Sequence, residues 1–248
     1  MALVLATVEP GEPEIFASLQ GEGPSAGRPC AFVRLSRCNL ACVWCDTAYT
    51  WRFAGDNRPH RADVAYERAA NQVTLSEEDV AGRIAALGKP RLVVTGGEPL
   101  LQAPALARML ARLRTGLPGI AIEIETNGTV APPSALDALV DQYNVSPKLA
   151  HSGNPVLLAL LPERLAQWAA EPRAFFKFVV ARPIDAAEVL ALADQFTIPR
   201  ERIFLMAEGT DAAALAARET WLAPLCLEHN LTLSKRLHIE LYGDTRGT

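Results

Sequence analysis

Cys38-Asn39-Leu40-Ala41-Cys42-Val43-Trp44-Cys45-Asp46-Thr47 is the stretch on which the reading of this chain turns. It holds three cysteines in a C-x3-C-x2-C pattern, in a loop directly after a short β-rich run, Cys30–Leu35. Three thiolates this close in sequence can wrap one metal centre. Four-iron clusters usually take four cysteines, and only Cys30 and Cys226 remain. Cys30 falls inside a predicted strand and Cys226 near the end of a predicted helix, so neither is placed to complete the set. Both read as small buried hydrophobes. A three-cysteine site leaves one iron open, and an open coordination position is a reactive one. Structural zinc with His60 as a fourth ligand is the competing reading. Zinc sites favour paired CxxC units, however, and His60 lies in a polar loop well beyond Cys45.

Outward from the cysteines, β-rich runs alternate with helical patterns. The runs are residues 30–35, 91–96, 120–125, 143–146, 175–180 and 202–207. Helical spacing marks 76–87, 103–114, 133–141, 155–170, 185–196 and 211–229, the first opening on Ser76 with Asp79 as a near capping box. Such alternation predicts parallel strands with crossover helices. Six units are too few for an eight-fold barrel, which leaves an open, partial barrel or a doubly wound sheet. Residues 52–75 read as an inserted polar loop.

Strand period adds a clue. In residues 120–125, Ile120, Ile122 and Ile124 share one face while Glu123 and Glu125 share the other. A strand covered on both faces is normally apolar on both, so two acids on one face predict a polar lumen. Arg34 and Lys177 point the same way. The C-terminal ends of the strands carry Thr95 and Glu98, Glu125 and Asn127, Ser146 and Lys148, and Glu208. Parallel α/β folds bind ligands at that end.

Composition narrows the class. Half of the 248 residues are hydrophobic and 21% are charged, which excludes a disordered chain. Twenty-four Lys and Arg against 28 Asp and Glu give a net charge of −4, with no basic stripe, so no nucleic-acid partner is expected. No apolar run reaches the roughly 18 residues of a membrane span. The N-terminus lacks the basic region of a secretory signal, and the cysteines do not form an even disulfide framework. A reducing, cytoplasmic setting is expected.

The cysteine spacing resembles the signature of the radical S-adenosylmethionine (SAM) superfamily. Leu92-Val-Val-Thr-Gly-Gly-Glu-Pro99 is similar to that superfamily's site for the SAM amino group. The resemblance implies an α/β fold, a modified partial (β/α)6 barrel in one domain spanning 1–248. Within it, 1–29 would be an N-terminal hairpin segment clamping substrate, 52–75 an insertion and 230–248 a C-terminal extension. Further features resemble one family, the 7-carboxy-7-deazaguanine synthases. They are Ile15-Phe-Ala-Ser-Leu-Gln-Gly-Glu-Gly23, Gly27-Arg-Pro-Cys-Ala-Phe-Val-Arg34, Cys45-Asp46-Thr47, Glu125-Thr-Asn-Gly-Thr129 and Val145-Ser-Pro-Lys148.

That family resemblance implies conversion of 6-carboxy-5,6,7,8-tetrahydropterin to 7-carboxy-7-deazaguanine, with ring contraction and loss of ammonia, on the route to queuosine-type 7-deazapurines. It implies a 4Fe-4S cluster on Cys38, Cys42 and Cys45, SAM, and Mg2+ on Thr47. SAM contacts would be Trp44, Cys45, Asp46, Gly97, Glu98, Ser146, Pro147, Lys148 and, at the end of the sixth run, Met206, Ala207, Glu208 and Gly209. Substrate contacts would be Leu19, Gln20, Gly21, Arg34, Thr95 and Thr248. Partners implied are a flavodoxin or ferredoxin reductant and a second copy in a homodimer. Two other readings compete: a glycyl-radical activating enzyme, which shares the cysteine spacing, and a non-enzymatic metal-bearing binding module.

Overall fold

The computed structural model describes residues 2–248. In chain order the strands are β1 (Ala2–Glu9), β2 (Glu12–Pro13), β3 (Ile15–Leu19), β4 (Pro29–Leu35), β5 (Gln72–Ser76), β6 (Arg91–Gly96), β7 (Ala121–Thr126), β8 (Gln142–Val145), β9 (Ala174–Val180), β10 (Ile203–Ala207) and β11 (Thr232–Ser234). The helices are α1 (Arg68–Asn71), α2 (Glu77–Ala86), α3 (Ala103–Gly116), α4 (Ser134–Asp137), α5 (Val156–Ala159), α6 (Pro162–Ala170), α7 (Pro183–Gln195), α8 (Ala212–His229) and α9 (Leu237–Tyr242).

All six β-rich runs are strands, and β4, β6, β7, β8, β9 and β10 lie side by side in that order, every pair parallel. The order never reverses. A doubly wound sheet has a switch point where it does, so the winding is that of a barrel left open. Right-handed crossovers running one way put the helices on one face. There Leu92, Val94, Ile122, Ile124, Phe176, Phe178 and Leu205 pack with Leu106, Met109 and Leu110 of α3 and Val189 of α7. β11 extends one edge in parallel, while β1, paired to β4 at Leu5–Leu35, extends the other antiparallel. β3 runs antiparallel along Pro29 to Val33 of β4 and supplies the N-terminal hairpin.

Three details correct the sequence reading. Residues 72–75 are not loop. Gln72–Ser76 pairs antiparallel with Ala2–Ala6, and its short polar alternation is that of an exposed edge strand. The helix over 155–170 is two helices, because Pro162 disfavours helical backbone in the residue before it. The helix over 133–141 is a single turn. By contrast, the Ser76 hydroxyl caps α2 as the spacing predicts, accepting from Asp79 N–H at 3.0 Å and donating to its carboxylate at 2.7 Å.

Candidate active site

A cavity of about 390 Å³ opens at the C-terminal ends of the parallel strands, and the three cysteines lie in its wall. The turn after β6 anchors them. Gly97 N–H donates to Leu35 O at 3.1 Å, and Glu98 N–H to Arg37 O at 2.9 Å. A Cβ on Gly96 (φ +146°) would stand 2.1 Å from Leu35 O, and one on Gly97 2.2 Å from Arg37 O. These glycines therefore let one backbone lie against another, at the root of the cysteine loop.

Each cysteine sulfur meets one N–H donor from outside the motif. Asn127 Nδ2 approaches Cys38 Sγ at 3.9 Å, Asn154 Nδ2 donates to Cys42 Sγ at 3.2 Å, and Trp51 Nε1 donates to Cys45 Sγ at 3.4 Å. Burial pushes the thiol of Cys38 up to about 12 and that of Cys45 up to about 11, while Cys42 also rises through burial. Such thiols become thiolates only beside a cation.

The lumen is polar, as the alternation in β7 predicts. Glu123, fully buried, accepts from Gln20 Nε2 at 2.5 Å, Asn144 Nδ2 at 2.6 Å and Arg91 at 3.0 Å. Burial, then the neighbouring Glu125 charge, pushes its carboxyl up. Lys177 donates to Glu125 at 2.7 Å and to Glu22 at 2.5 Å. Burial opposes charge on Lys177, but the two carboxylates outweigh it and raise its pKa. Arg34 donates through Nε to the buried Glu14 at 2.7 Å, and Tyr49 Oη donates to the same carboxylate at 2.9 Å. The terminal nitrogens of Arg34 have no hydrogen-bond partner among the described residues, and its side chain lines the cavity.

The C-terminal segment closes the site. Arg236 reaches Asp46 in the cysteine loop, Glu22 at 3.1 Å and Gly209 O in the loop after β10. Burial would raise the carboxyl of Asp46, but Arg236 holds it below its usual value. Leu237 N–H donates to Gly21 O at 3.0 Å, and a Cβ on Gly21 would meet His238 at 2.2 Å. The insertion closes the opposite side: Arg61 N–H donates to Val43 O at 2.8 Å, and His60 Nε2 meets Cys45 O at 2.8 Å. That contact takes His60 away from the sulfurs. No three His, Cys, Asp or Glu side chains among the described residues are placed to hold a single metal ion, which disfavours the zinc reading.

Residues 33–151 match the Radical SAM superfamily. A 7-carboxy-7-deazaguanine synthase of Pyrobaculum aerophilum is 38% identical over 94% of this chain and 95% of its own. The synthase of Hyperthermus butylicus is 34% identical over 91% of this chain and 90% of its own. The chain belongs to the 7-carboxy-7-deazaguanine synthase family. The crystal structure of QueE from Escherichia coli superposes with a TM-score of 0.64 at 26% identity, covering 95% of both chains. Streptococcus suis SuiB bound to a precursor peptide shares the fold alone, with a TM-score of 0.54 at 12% identity over 82% of this chain and 47% of its own.

As a radical SAM enzyme of this family, the chain is expected to hold a 4Fe-4S cluster and SAM, and its residues fit both. Three sulfurs, each already given a donor, suit a cluster that leaves one iron to another ligand. Trp44 lines the cavity, and its buried Nε1 has no hydrogen-bond partner among the described residues, which leaves a donor for a bound group to satisfy. Trp44 also stacks on His151, with Lys148 Nζ 5.8 Å from its ring.

Most of the residues expected from the resemblance line this one cavity: Leu19, Gln20, Gly21, Arg34, Trp44, Asp46, Thr47, Thr95, Gly97, Ser146, Lys148, Met206, Glu208, Gly209 and Thr248. Three do not, and a further two are occupied. The carboxylate of Glu98 is fully buried behind the turn, where it accepts from Leu100 N–H, Thr126 Oγ1 and Asn127 N–H at 2.7–3.0 Å. It fixes β6 to the end of β7 and is not a side-chain ligand for an amine. Ala207 faces the helical layer, because alternation puts its neighbours Met206 and Glu208 in the lumen. Pro147 also lies off the cavity wall. The amide of Gln20 is bonded within the protein, to Glu123 and Glu125, and Glu208 is paired with Arg61 and Arg218. Thr47 sits at the cap position of the short 48–50 helix, but its hydroxyl does not cap it and meets Cys45 Sγ at 3.6 Å instead.

Glu14, Glu22, Tyr49, Asn154, Arg236 and His238 were not foreseen. Glu22 stood within the quoted QGEG and Arg236 within the extension, and a lone charge beside a motif was the only signal either offered.

Proposed function

We propose that this chain converts 6-carboxy-5,6,7,8-tetrahydropterin to 7-carboxy-7-deazaguanine with release of ammonia, regenerating SAM, in the making of 7-deazapurines. One observation carries the reading: a polar, charge-paired lumen, closed on three sides by β3, the insertion and the C-terminal segment, adjoins the cysteine loop. Such a chamber suits a small polar bicycle. A protein substrate would need an open groove.

Cys38, Cys42 and Cys45 would hold the cluster beside SAM, and the two together would supply radical hydrogen-abstraction chemistry to the substrate. The protein binds and orients. Arg34, held by Glu14 through Nε, presents its free terminal nitrogens to the substrate carboxylate. Lys177 holds Glu125 at the lumen wall, where that carboxylate accepts from ring or amino N–H groups. Gln20 works indirectly, by fixing Glu123 and Glu125. Leu19, Gly21, Thr95 and Thr248 shape the rest of the substrate space. Lys148 donates to Ser146 Oγ at 2.7 Å, and the pair, with Trp44 and Gly97, holds SAM. Thr47 offers one neutral oxygen to Mg2+, whose remaining ligands would be water and substrate. In this reading residues 1–248 form one domain, working as a cytoplasmic homodimer with a flavodoxin or ferredoxin reductant.

The test is anaerobic. The protein is reconstituted with iron and sulfide, reduced, and supplied with SAM, Mg2+ and 6-carboxytetrahydropterin. Mass spectrometry should find the ammonia-loss product with SAM undepleted. Stoichiometric loss of SAM with no bicyclic product would refute the assignment.

A further inference from the structure

The sulfur of Cys42 sits against an amide that lies 112 positions further along the chain. Asn154 ends the turn Ala150–Asn154, which is docked on the cysteine loop at three points. Val43 N–H donates to Ser152 O at 2.9 Å, Ala41 N–H donates to Asn154 Oδ1 at 2.9 Å, and Asn154 Nδ2 donates to Cys42 Sγ at 3.2 Å. The close fit is enforced at Gly153, where a Cβ would stand 2.6 Å from Val43 Cγ1. The amide orientation is fixed by chemistry. A backbone N–H can only donate, so Oδ1 must face Ala41, and Nδ2 must then face the sulfur.

On the far side of the loop, Trp51 Nε1 meets Cys45 Sγ at 3.4 Å. An indole nitrogen is a donor only, and the ring is 5% exposed. Its position is set by the turn after the motif, where Thr50 N–H and Trp51 N–H donate back to Thr47 O and Ala48 O at 2.9 and 3.1 Å.

We propose that Asn154 and Trp51 are positioning residues that set the reduction potential of the cluster, by donating to the sulfurs of Cys42 and Cys45. The inference rests on the radical SAM reading and deepens it. Reduction adds one negative charge, which spreads over iron and sulfur. An N–H aimed at a ligand sulfur stabilises the more negative state and raises the potential. Trp51 is shielded from water, so its dipole is weakly screened, while Asn154 is half-buried.

The experiment is a potentiometric titration of the SAM-free, anaerobically reconstituted full chain, followed by the electron paramagnetic resonance signal of the reduced cluster. Trp51→Phe keeps an aromatic ring and deletes the N–H. Asn154→Leu deletes both amide functions. Asn154→Asp keeps the acceptor for Ala41, deletes the donors to Cys42 Sγ and Ser152 Oγ and adds a negative charge, so it reports even where the leucine variant fails to load a cluster, and its shift counts only beside that of the uncharged Trp51→Phe. Each loaded variant should be harder to reduce, by about tenfold in the one-electron equilibrium, or about 59 mV. Loaded Trp51→Phe and Asn154→Asp clusters at the parent potential would overturn the inference, as would a loss of iron alone with no shift in the remaining signal. Failure of the parent protein to assemble a four-iron cluster would be a different result and would overturn the functional reading itself.

Discussion

Gly97 lies against the carbonyl oxygen of Arg37, which stands 2.2 Å from where a Cβ on Gly97 would be. The next residue, Glu98, donates its N–H to that same oxygen at 2.9 Å. The GGEP turn is thus the seat on which the cysteine loop is built. A methyl group at 97 must push the Arg37–Cys38 backbone away, since the opposing atoms belong to main chain and to Cys38 Cβ. Gly97→Ala should destabilise the protein by about 1–3 kcal/mol and lose most of its iron on reconstitution. Gly116→Ala, with nothing within 4 Å of its added Cβ, is the matched control. Denaturation midpoints and iron content check both. Full iron loading of Gly97→Ala would show that the loop can shift without cost.

Glu98 makes the stability of the metal-free protein depend on pH. Burial pushes its carboxyl up to about 7, against the pull of Asn127 N–H, Leu100 N–H and the Thr126 hydroxyl. The unfolded chain releases this proton near 4.5, well before the folded chain does. Between those values the native state holds more protons, so this group's contribution to stability falls as pH rises from about 4.5 to about 7, then levels off. Glu98→Gln removes the titration. Denaturant midpoints measured from pH 4.5 to 8 should flatten in the variant relative to the parent. Parallel curves would mean that Glu98 is charged throughout.

Chemistry that follows local period or spacing is legible in the sequence. The two acids of β7 announced a polar lumen because side chains alternate along a strand. The cysteine spacing pointed to the radical SAM superfamily because the three thiols are neighbours in sequence. Contacts that join distant segments are not legible in this way. Arg236 meets Asp46 across 190 positions and Asn154 meets Cys42 across 112. No local pattern encodes such pairs. The glycines of GGEP were correctly singled out for close approach, but what approaches them is the cysteine loop's own backbone. Glu98 was placed at the right turn, and its carboxylate faces the wrong way for a ligand.

Arg34 separates binding from support. Its Nε is used by Glu14, and only the terminal nitrogens remain for substrate. Lysine keeps the charge but cannot reach Glu14 and a ligand with a planar fork. Losing a charge-assisted bond worth about 1.5–3 kcal/mol should raise the KM for the pterin by about 10–100-fold in Arg34→Lys. SAM affinity should be unchanged. Equal losses for both ligands would reassign Arg34 to holding β3 and β4 together.

Arg246 latches the tail. Its guanidinium lies 3.6 Å from the centre of the Tyr49 ring and donates to Asn71 Oδ1 at 3.0 Å, while Asp244 to Thr248 line the cavity mouth. Tyr49 in turn donates to the Glu14 that positions Arg34. The latch therefore joins the last turn of the chain to the insertion and, through Tyr49 and Glu14, to Arg34, the proposed substrate anchor. A partly desolvated cation–π contact is worth about 1–2 kcal/mol, and the amide bond adds about 1 kcal/mol. Arg246→Ala should free the tail for cleavage by a carboxypeptidase that spares the parent, and raise the KM for the pterin by about tenfold. Arg246→Lys, which keeps a cation over the ring, should recover part of the loss. If the alanine variant resists cleavage and binds substrate normally, the tail is held by its own turns, and the contact with Tyr49 carries no function.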